Sequence, residues 1–353
     1  MIMLAAVYHS DGTIRLEERP VPVLMEERDA IVRVTLSSIC TSDLHIRDGF
    51  VPRARDHVIL GHEFVGEVIA AGSGVHTLRP GDRVAANCIT FCGTCEFCKK
   101  GFINNCLHGG WELGCRIDGC QAEYVRVPFA DTGLTLVPDG VSDASALFTG
   151  DILSSGYFGA ELCEIQPGDT VAVIGLGPVG LCAAMCARLL GASRVLGVEP
   201  DPARRQTALR QRLVDLALDP SSEDPVLRIL QQTEGRGADG VIEAAGGRNT
   251  FEIAWKAARP NGIVAVVAMY EEDQLLPLPR MYGKNLIFKT GGVDAVHCRE
   301  LLDWIHQGRL NTDFLITHRV PLDRILEGYQ IFENKTEGCL KVAVTPPKVG
   351  KGA

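Results

Sequence analysis

The chain has few aromatic residues, no excess of positive charge and no long apolar run. Aromatic side chains are only 6% of the 353 residues, so few are available to line a binding pocket. The formal net charge of −9 argues against a general basic surface for nucleic acids or anionic membranes. No stretch approaches the roughly 18 apolar residues that span a bilayer, and the opening MIMLAAVYHSDGTI lacks the basic segment of a secretory signal. We therefore expect a cytoplasmic protein that acts on small molecules.

Cysteine, by contrast, is abundant, with thirteen residues. In a reducing compartment cysteines are metal ligands or buried apolar side chains more often than disulfides. The lobe at 88–110 contains a C-x2-C-x2-C-x7-C pattern, which offers enough thiolates for a closed tetrahedral zinc site; its members are Cys92, Cys95, Cys98 and Cys106. We predict a structural zinc there.

Two alternatives to structural zinc share part of this pattern. The C-x2-C-x2-C run also occurs in iron–sulfur proteins, but it usually continues as C-x3-C-P, whereas here Lys99-Lys100-Gly101 follows. A zinc finger that reads DNA needs a basic recognition helix after the site, and the segment at 111–114 (WELG) is not one. The spacing favours structural zinc over both.

A second set of metal ligands is dispersed along the chain. Cys40 follows a predicted strand, His62 lies in an apolar stretch and Asp151 follows a glycine. Taken singly, they read as a buried cysteine, a core histidine and a helix cap. Taken together, they supply three ligands of the types that zinc accepts and leave a fourth position exchangeable, as in catalytic zinc sites.

The clearest motif is a G-x-G-x-x-G sequence between a predicted strand and a predicted helix. The strand is 171–174 (VAVI) and the helix is 181–190 (LCAAMCARLL). Such a turn brings the backbone and the N-terminus of the helix close to a pyrophosphate. This context predicts dinucleotide binding by the residues of the turn: Gly175, Gly177, Pro178, Val179 and Gly180.

A carboxylate ends the next predicted strand. Glu199 follows 194–198 (RVLGV), where an acidic side chain can accept hydrogen bonds from the adenosine ribose. The same charge repels the 2′-phosphate of NADP, so we expect NAD. Arg204 and Arg205 are the cations near enough in sequence to favour NADP instead.

The chain changes character near residue 168. Before it, short predicted strands separated by turns indicate a β-rich module; they are 5–7, 13–16, 30–36 and a run at 58–69. After it, strands and helices alternate, which predicts a doubly wound parallel α/β sheet. The predicted strands there are 171–174, 194–198, 213–216, 240–243, 262–268 and 286–288, and the predicted helices are 181–190, 203–210, 224–233 and 249–258. Toward the end we predict helices at 299–307 and 322–334, a strand at 339–344 and a frayed tail from Pro346.

These motifs resemble those of the zinc-dependent medium-chain alcohol dehydrogenases, over essentially the whole chain. The shared motifs are GHE at 61–63, PGDRV at 80–84, the four-cysteine lobe and GLGPVG at 175–180. The bacterial secondary-alcohol dehydrogenases, in which Asp is the third zinc ligand, are the most similar branch, as the segments at 151–156 and 276–280 indicate. Many of that branch lack the four-cysteine lobe, and some carry Gly-Ser-Arg where this chain has Val198-Glu199-Pro200.

The resemblance implies two domains. A β-rich GroES-like catalytic domain takes up 1–152 and returns over 295–353, and a Rossmann dinucleotide-binding domain takes up 153–294. It also implies a homo-oligomer, a dimer or a tetramer.

The resemblance further implies roles at the catalytic site. Ser42 takes the proton of the substrate hydroxyl and passes it toward His45, Glu63 lies beside the metal and ligates it transiently, and Asp43 orients His62. Ser155 contacts the nicotinamide and Lys341 the pyrophosphate. The substrate pocket is expected to be small and apolar, and its implied members are Ser42, Cys88, Trp111 and Ile152.

The predicted function is a zinc-dependent, NAD-linked, reversible oxidation of an alcohol, a small secondary one by resemblance. Two zinc ions per chain are expected. A polyol or diol dehydrogenase of the same family is an alternative, as is a zinc-less NADPH reductase of the same fold. A zinc-bound scaffold or nucleic-acid binder without catalysis is opposed by the acidic charge and by the retained Ser42 and His45.

Overall fold

The computed structural model describes residues 1–347, so most of the expected frayed tail lies outside the described residues. The protein divides into two compact units. The first comprises residues 1–154 and the described residues from 294 onward, and the second comprises residues 155–293. The boundaries expected from the sequence, after 152 and after 294, lie within two residues of these.

The first unit begins with seven strands and three short helices. The strands are β1 (Ile2–His9), β2 (Thr13–Pro20), β3 (Ala30–Ser38), β4 (Phe64–Ala71), β5 (Arg83–Ala86), β6 (Tyr124–Val127) and β7 (Leu134–Leu136). The helices are α1 (Thr41–Arg47), α2 (Ala130–Gly133) and α3 (Asp143–Ala146), and two 3₁₀ turns, Cys98–Lys100 and Ile103–Asn105, lie in the cysteine lobe.

The second unit alternates helices and strands. Its elements are α4 (Ile152–Leu162), which begins in the first unit, then β8 (Thr170–Ile174), α5 (Pro178–Leu189), β9 (Arg194–Val198), α6 (Pro202–Arg210), β10 (Leu216–Leu218), α7 (Pro225–Gln232), β11 (Ala238–Glu243), α8 (Thr250–Ala257), β12 (Ala258–Val266), α9 (Leu278–Met281) and β13 (Ile287–Thr290). The chain then returns to the first unit through α10 (Cys298–His306), β14 (Ile316–Pro321), α11 (Ile325–Glu333) and β15 (Lys341–Thr345), with 3₁₀ turns at Asp313–Leu315, Leu322–Arg324 and Thr336–Gly338.

A seven-stranded sheet organises the first unit. Its order is β14-β15-β3-β4-β5-β7, with β6 also pairing with β3, and β1 and β2 form a separate antiparallel pair. The central strand β3 is buried along most of its length because β4, β6 and β15 all pair with it. Cys40 and α1 follow the end of this strand directly.

The second unit is a six-stranded parallel sheet in the order β10-β9-β8-β11-β12-β13. Every pairing in it is parallel. The strand order reverses at β8, so the G-x-G-x-x-G turn lies at the switch point where doubly wound sheets bind ligands. The predicted doubly wound sheet is confirmed.

Two predicted strands begin several residues later in the structure than predicted. Only Phe64 onward forms a strand in the run at 58–69, because Gly61 adopts φ +95° and packs where a Cβ would lie 2.7 Å from the Gln121 side chain. The strand predicted at 213–216 begins at Leu216 instead. Asp215 precedes it. Its carboxylate accepts the Val195 N–H at 2.8 Å and its own N–H donates to the Val195 carbonyl at 2.8 Å, so a side chain supplies one of these two bonds to β9.

Candidate metal centres and dinucleotide site

The first unit brings together Cys40, His62 and Asp151. One ligand atom from each residue lies within 4.8 Å of the others. Asp151 Oδ2 is 3.3 Å from His62 Nε2 and 3.5 Å from Cys40 Sγ. The three residues come from the N-cap of α1, the irregular segment before β4 and the residue before α4, so only the folded chain assembles them.

The pKa shifts differ among the three residues of this cluster, and only that of Asp151 favours an anionic side chain. Burial raises the pKa of the Cys40 thiol. Burial also works to raise the pKa of Asp151, but the hydrogen bond and charge of His62 and the charge of Lys341 outweigh it and lower that pKa to about 2. The hydrogen bonds to Asp151 and Cys40 likewise outweigh burial and raise the pKa of His62. A divalent ion would displace the protons of the histidine and the thiol, as metal sites of this donor type do.

Glu63 lies beside this cluster in a buried ion pair. Its Oε2 atom accepts hydrogen bonds from Ser38 Oγ and from the Lys341 ammonium. Lys341 is only 1% exposed; burial opposes its charge, but the Glu63 carboxylate raises its pKa. The ammonium expected at the pyrophosphate is therefore directed at Glu63 in this structure. Neither Ser38 nor this ion pair was anticipated from the sequence, since 278 residues separate Lys341 from Glu63.

Asp43 was expected to orient His62, but no hydrogen bond joins the two side chains among residues 1–347. Asp43 Oδ1 and His62 Nδ1 are both buried without a hydrogen-bond partner. Asp43 Oδ2 instead accepts from the Cys40 N–H and from Gln121 Nε2, each at 2.9 Å.

The Tyr329 hydroxyl completes this network by donating to Gln121 Oε1 at 2.7 Å. Asp43 thus holds the backbone of Cys40, and Gln121 and Tyr329 hold Asp43. The sequence feature that could have identified Gln121 is its position as a polar residue between the apolar Cys120 and Ala122, both of which are fully buried.

The other residues predicted at the catalytic site lie at different distances from this cluster. Ser42 Oγ lies 3.7 Å from Cys40 Sγ, and His45 is three residues further along the same short helix, where its ring packs on Phe50. The Trp111 ring lies 5.8 Å from the His62 ring, and its indole Nε1 is buried without a partner in the described chain.

Cys88 and Ile152 lie on the Asp151 side of the cluster. Burial and the neighbouring Asp151 carboxylate raise the pKa of the Cys88 thiol, and the Cys88 N–H donates to the Gly150 carbonyl at 3.0 Å. Ile152 is buried as the first residue of α4.

The four-cysteine lobe forms a second cluster, in which the four Sγ atoms lie within 4.8 Å of one another. Backbone amides point at the sulfurs: Cys95 N–H donates to Cys92 Sγ at 3.4 Å and His108 N–H to Cys106 Sγ at 3.4 Å. Burial works to raise the pKa of Cys92, but hydrogen bonds from Thr94 and Cys95 lower it to about 6. All thirteen cysteines, which lie within the described residues, are free. Burial and the neighbouring Cys95 raise the pKa of Cys98 to about 12. Four thiols held this close together fit a tetrahedral metal.

The turn after β8 has the geometry of a dinucleotide loop. Gly175 adopts φ +91°, and a Cβ on Gly180 would lie 1.8 Å from the Gly175 carbonyl oxygen. Gly177 is the N-cap of α5, which begins at Pro178 and Val179 and directs its N-terminus at this turn. Ser155, predicted to contact the nicotinamide, lies half-buried in the first turn of α4.

Glu199 is tied to the same loop. Its Oε2 accepts the Leu176 N–H at 2.8 Å and its Oε1 the Asp201 N–H at 3.0 Å. The Arg205 guanidinium is occupied by the Glu199 and Pro200 carbonyls and by Asp219. Arg204 Nη1 lies 3.6 Å from where a Gly177 Cβ would be, so Arg204 is the cation beside the turn.

Two family models and several known proteins match this chain. The family described as "Alcohol dehydrogenase GroES-like domain" matches residues 26–139, and "Zinc-binding dehydrogenase" matches residues 178–306. The chain is 36% identical to an alcohol dehydrogenase of Cupriavidus necator, over 98% of this chain and 99% of that protein. It belongs to the zinc-dependent medium-chain alcohol dehydrogenases.

Other relatives of this dehydrogenase extend the comparison. A solved alcohol dehydrogenase from Thermus sp. ATN1 superposes with a TM-score of 0.91 at 37% identity, over 98% of this chain and 100% of that chain. An NADP-dependent isopropanol dehydrogenase of Thermoanaerobacter brockii is 33% identical over 93% of this chain and 95% of that protein. The predicted family and two-domain fold are confirmed. No helix within residues 1–347 is long and apolar enough to cross a membrane.

Proposed function

We propose that this alcohol dehydrogenase uses NAD to oxidise a small secondary alcohol reversibly to its ketone, at a zinc ion held by Cys40, His62 and Asp151. The observation that carries the proposal is the convergence of those three ligand atoms within 4.8 Å, beside Trp111 and Cys88. Bound zinc supplies a Lewis acid that lowers the pKa of a hydroxyl, and bound NAD accepts a hydride.

The chain's own residues position the alcohol and move its proton. Ser42 is proposed to receive the hydroxyl proton, because its Oγ lies 3.7 Å from the Cys40 ligand atom. His45, one helical turn further along α1, passes the proton toward solvent. Cys88, Trp111 and Ile152 form the apolar wall of the pocket, and the small number of aromatic residues favours a small substrate. Glu63 is proposed to enter the metal's coordination shell only during exchange.

NAD rather than NADP is proposed because the buried Glu199 carboxylate ends β9 at the dinucleotide loop. A 2′-phosphate there would meet a like charge. One observation favours NADP instead: Arg204 lies beside Gly177, whereas Arg205 is occupied. Ser155 is proposed to contact the nicotinamide. Lys341 is proposed to contact the pyrophosphate, which requires that its ion pair with Glu63 break.

A structural zinc in the cysteine lobe, a cytoplasmic location and a homo-oligomeric state complete the proposal. The oligomer is supported by exposed apolar side chains that precede the edge strand β13 in the second unit. Leu275, Leu278 and Tyr282 are 74%, 68% and 94% exposed.

The deciding experiment combines elemental analysis with a substrate panel. Purified protein is expected to contain two zinc ions per chain and to oxidise small secondary alcohols faster with NAD than with NADP. Preference for a polyol or diol would assign the alternative activity within the family. Turnover with NADPH in protein that contains no zinc would reject the proposal in favour of a zinc-less reductase. Protein that contains both zinc ions but turns over no substrate would indicate a zinc-bound scaffold without catalysis.

A further inference from the structure

A third group of metal-ligating side chains lies on the first unit, apart from both centres described above. The β1 histidine cluster consists of His9, at the end of β1, and of Asp56 and His57, in the segment before Val58. One ligand atom from each lies within 4.8 Å of the others. The two imidazole rings are 4.5 Å apart in a T-shaped arrangement, and Asp56 Oδ2 lies 3.6 Å from His57 Nε2.

Backbone contacts hold this cluster in place. Asp56 Oδ1 accepts the N–H groups of Ser10 and His57 at 2.8 and 3.0 Å. Tyr8 N–H donates to the Val58 carbonyl at 2.9 Å, so the segment is fixed against β1. His57 adopts φ +59°, a left-handed conformation that is uncommon outside glycine. The fold therefore maintains an unfavourable backbone geometry that places the second imidazole next to the first.

Glu17 of β2 adds a supporting carboxylate. Its Oε1 atom lies 2.6 Å from His9 Nε2. A carboxylate on one ring nitrogen orients a histidine and raises the basicity of the other nitrogen, which is how many metal-binding histidines are held. The His9 side chain is only 9% exposed, whereas the side chains of Asp56 and His57 are 47% and 60% exposed.

We propose that the β1 histidine cluster is a third metal site, which binds a divalent first-row transition ion through His9, Asp56 and His57. Two imidazoles and a carboxylate are a donor set that zinc, nickel and copper accept. The exposed side of the cluster leaves the remaining coordination positions to water, so the ion exchanges more readily than one bound in the buried centres. A bound ion ties β1 and β2 to the segment that leads to Gly61 and His62. The inference does not rest on the proposed function.

The test uses the full-length protein with its resident metals and NiCl2 as the probe, in equilibrium dialysis with zinc and nickel counted together. The wild type is expected to bind one nickel per chain without losing zinc, and its melting temperature should rise as nickel is added. His57→Asn should weaken nickel binding by at least tenfold, and Asn tolerates the left-handed backbone, so the fold is retained. Glu17→Gln should weaken it by about ten- to a hundredfold.

His306→Asn is the matched control, because His306 is an exposed histidine at the end of α10. It should bind nickel like the wild type. The inference is overturned if the wild type binds no additional nickel. It is equally overturned if His57→Asn binds as much as the wild type, or if His306→Asn loses as much as His57→Asn, since binding would then be unspecific.

Discussion

At the residue scale, the question is whether Asp151 is a metal ligand or only caps α4. Its carboxylate lies within 3.5 Å of both His62 and Cys40, which supports the proposed role of ligand. Asp151→Ala is expected to lose most of the catalytic zinc and most of the activity, because only two protein ligands of the cluster remain. Asp151→Cys should keep the metal but raise the pH at which alcohol oxidation increases, because a thiolate leaves the ion less positive than a carboxylate does.

Zinc content and pH–rate profiles of these variants test the assignment. Asp151→Asn and Asp151→Ser serve as controls, since either side chain can cap α4. A fully active, zinc-replete Asp151→Ser enzyme would remove Asp151 from the metal site.

Substitutions of Lys341 can distinguish a role in the ion pair with Glu63 from a role in binding the pyrophosphate. Lys341→Met leaves the buried Glu63 carboxylate without its cation, and the free energy of unfolding should fall by about 3–5 kcal/mol. Lys341→Arg keeps a cation in the pair and should recover part of that loss. Denaturant unfolding measures both, and the KM for NAD is measured alongside. A raised KM with unchanged stability would indicate that Lys341 serves the pyrophosphate and not the ion pair.

Among the secondary-structure elements, the β9–α6 turn is the one proposed to set the preference for NAD over NADP. Glu199→Ser should narrow the preference for NAD over NADP, because the negative charge at the ribose site is lost. Arg204→Ala should reduce any residual use of NADP, and Arg205→Ala, whose guanidinium is already occupied, is the control. Steady-state rates at equal, low cofactor concentrations measure the effect. Faster turnover of the unmodified enzyme with NADP would contradict the prediction.

The cysteine lobe is a separate element with its own prediction. Cys95→Ser should lower thermal stability and reduce the zinc content to one ion per chain, because a structural site contributes its binding energy to folding. The catalytic zinc should remain. Cys186→Ser, in the buried face of α5, is the matched control and should retain both ions. Iron in the purified protein, or an unchanged zinc content in Cys95→Ser, would exclude the structural zinc.

Local pattern was sufficient for some elements and not for others. Strand β9 was predicted with its observed ends, since a short apolar run between turns has one stable arrangement in a parallel sheet. The strand predicted over 58–69 was wrong in its first half, because the conformation of Gly61 depends on close packing against Gln121 and Gly114. Helix α11 begins at Ile325 and not at 322, after a 3₁₀ turn.

At the scale of the whole molecule, the exposed apolar residues before β13 predict self-association. Leu275→Lys combined with Tyr282→Lys should shift the protein toward smaller species, because the substitutions place like charges where apolar contacts are proposed. Sedimentation velocity measures the change. Leu209→Lys, at another exposed apolar position, is the control. A wild type that is monomeric at micromolar concentration would contradict the prediction.

Short motifs and local periodicity were enough to predict the family and the two kinds of sheet, and to propose the residue types of both metal sites. Tertiary structure alone decided which side chains meet. Only folding places Asp151 against Cys40, 111 residues away, and Lys341 against Glu63, and only packing selects Gln121 and Tyr329 as the support for Asp43. The physical reason is that hydrogen bonds and ion pairs act over a few ångströms in space, while sequence patterns report only on neighbours along the chain.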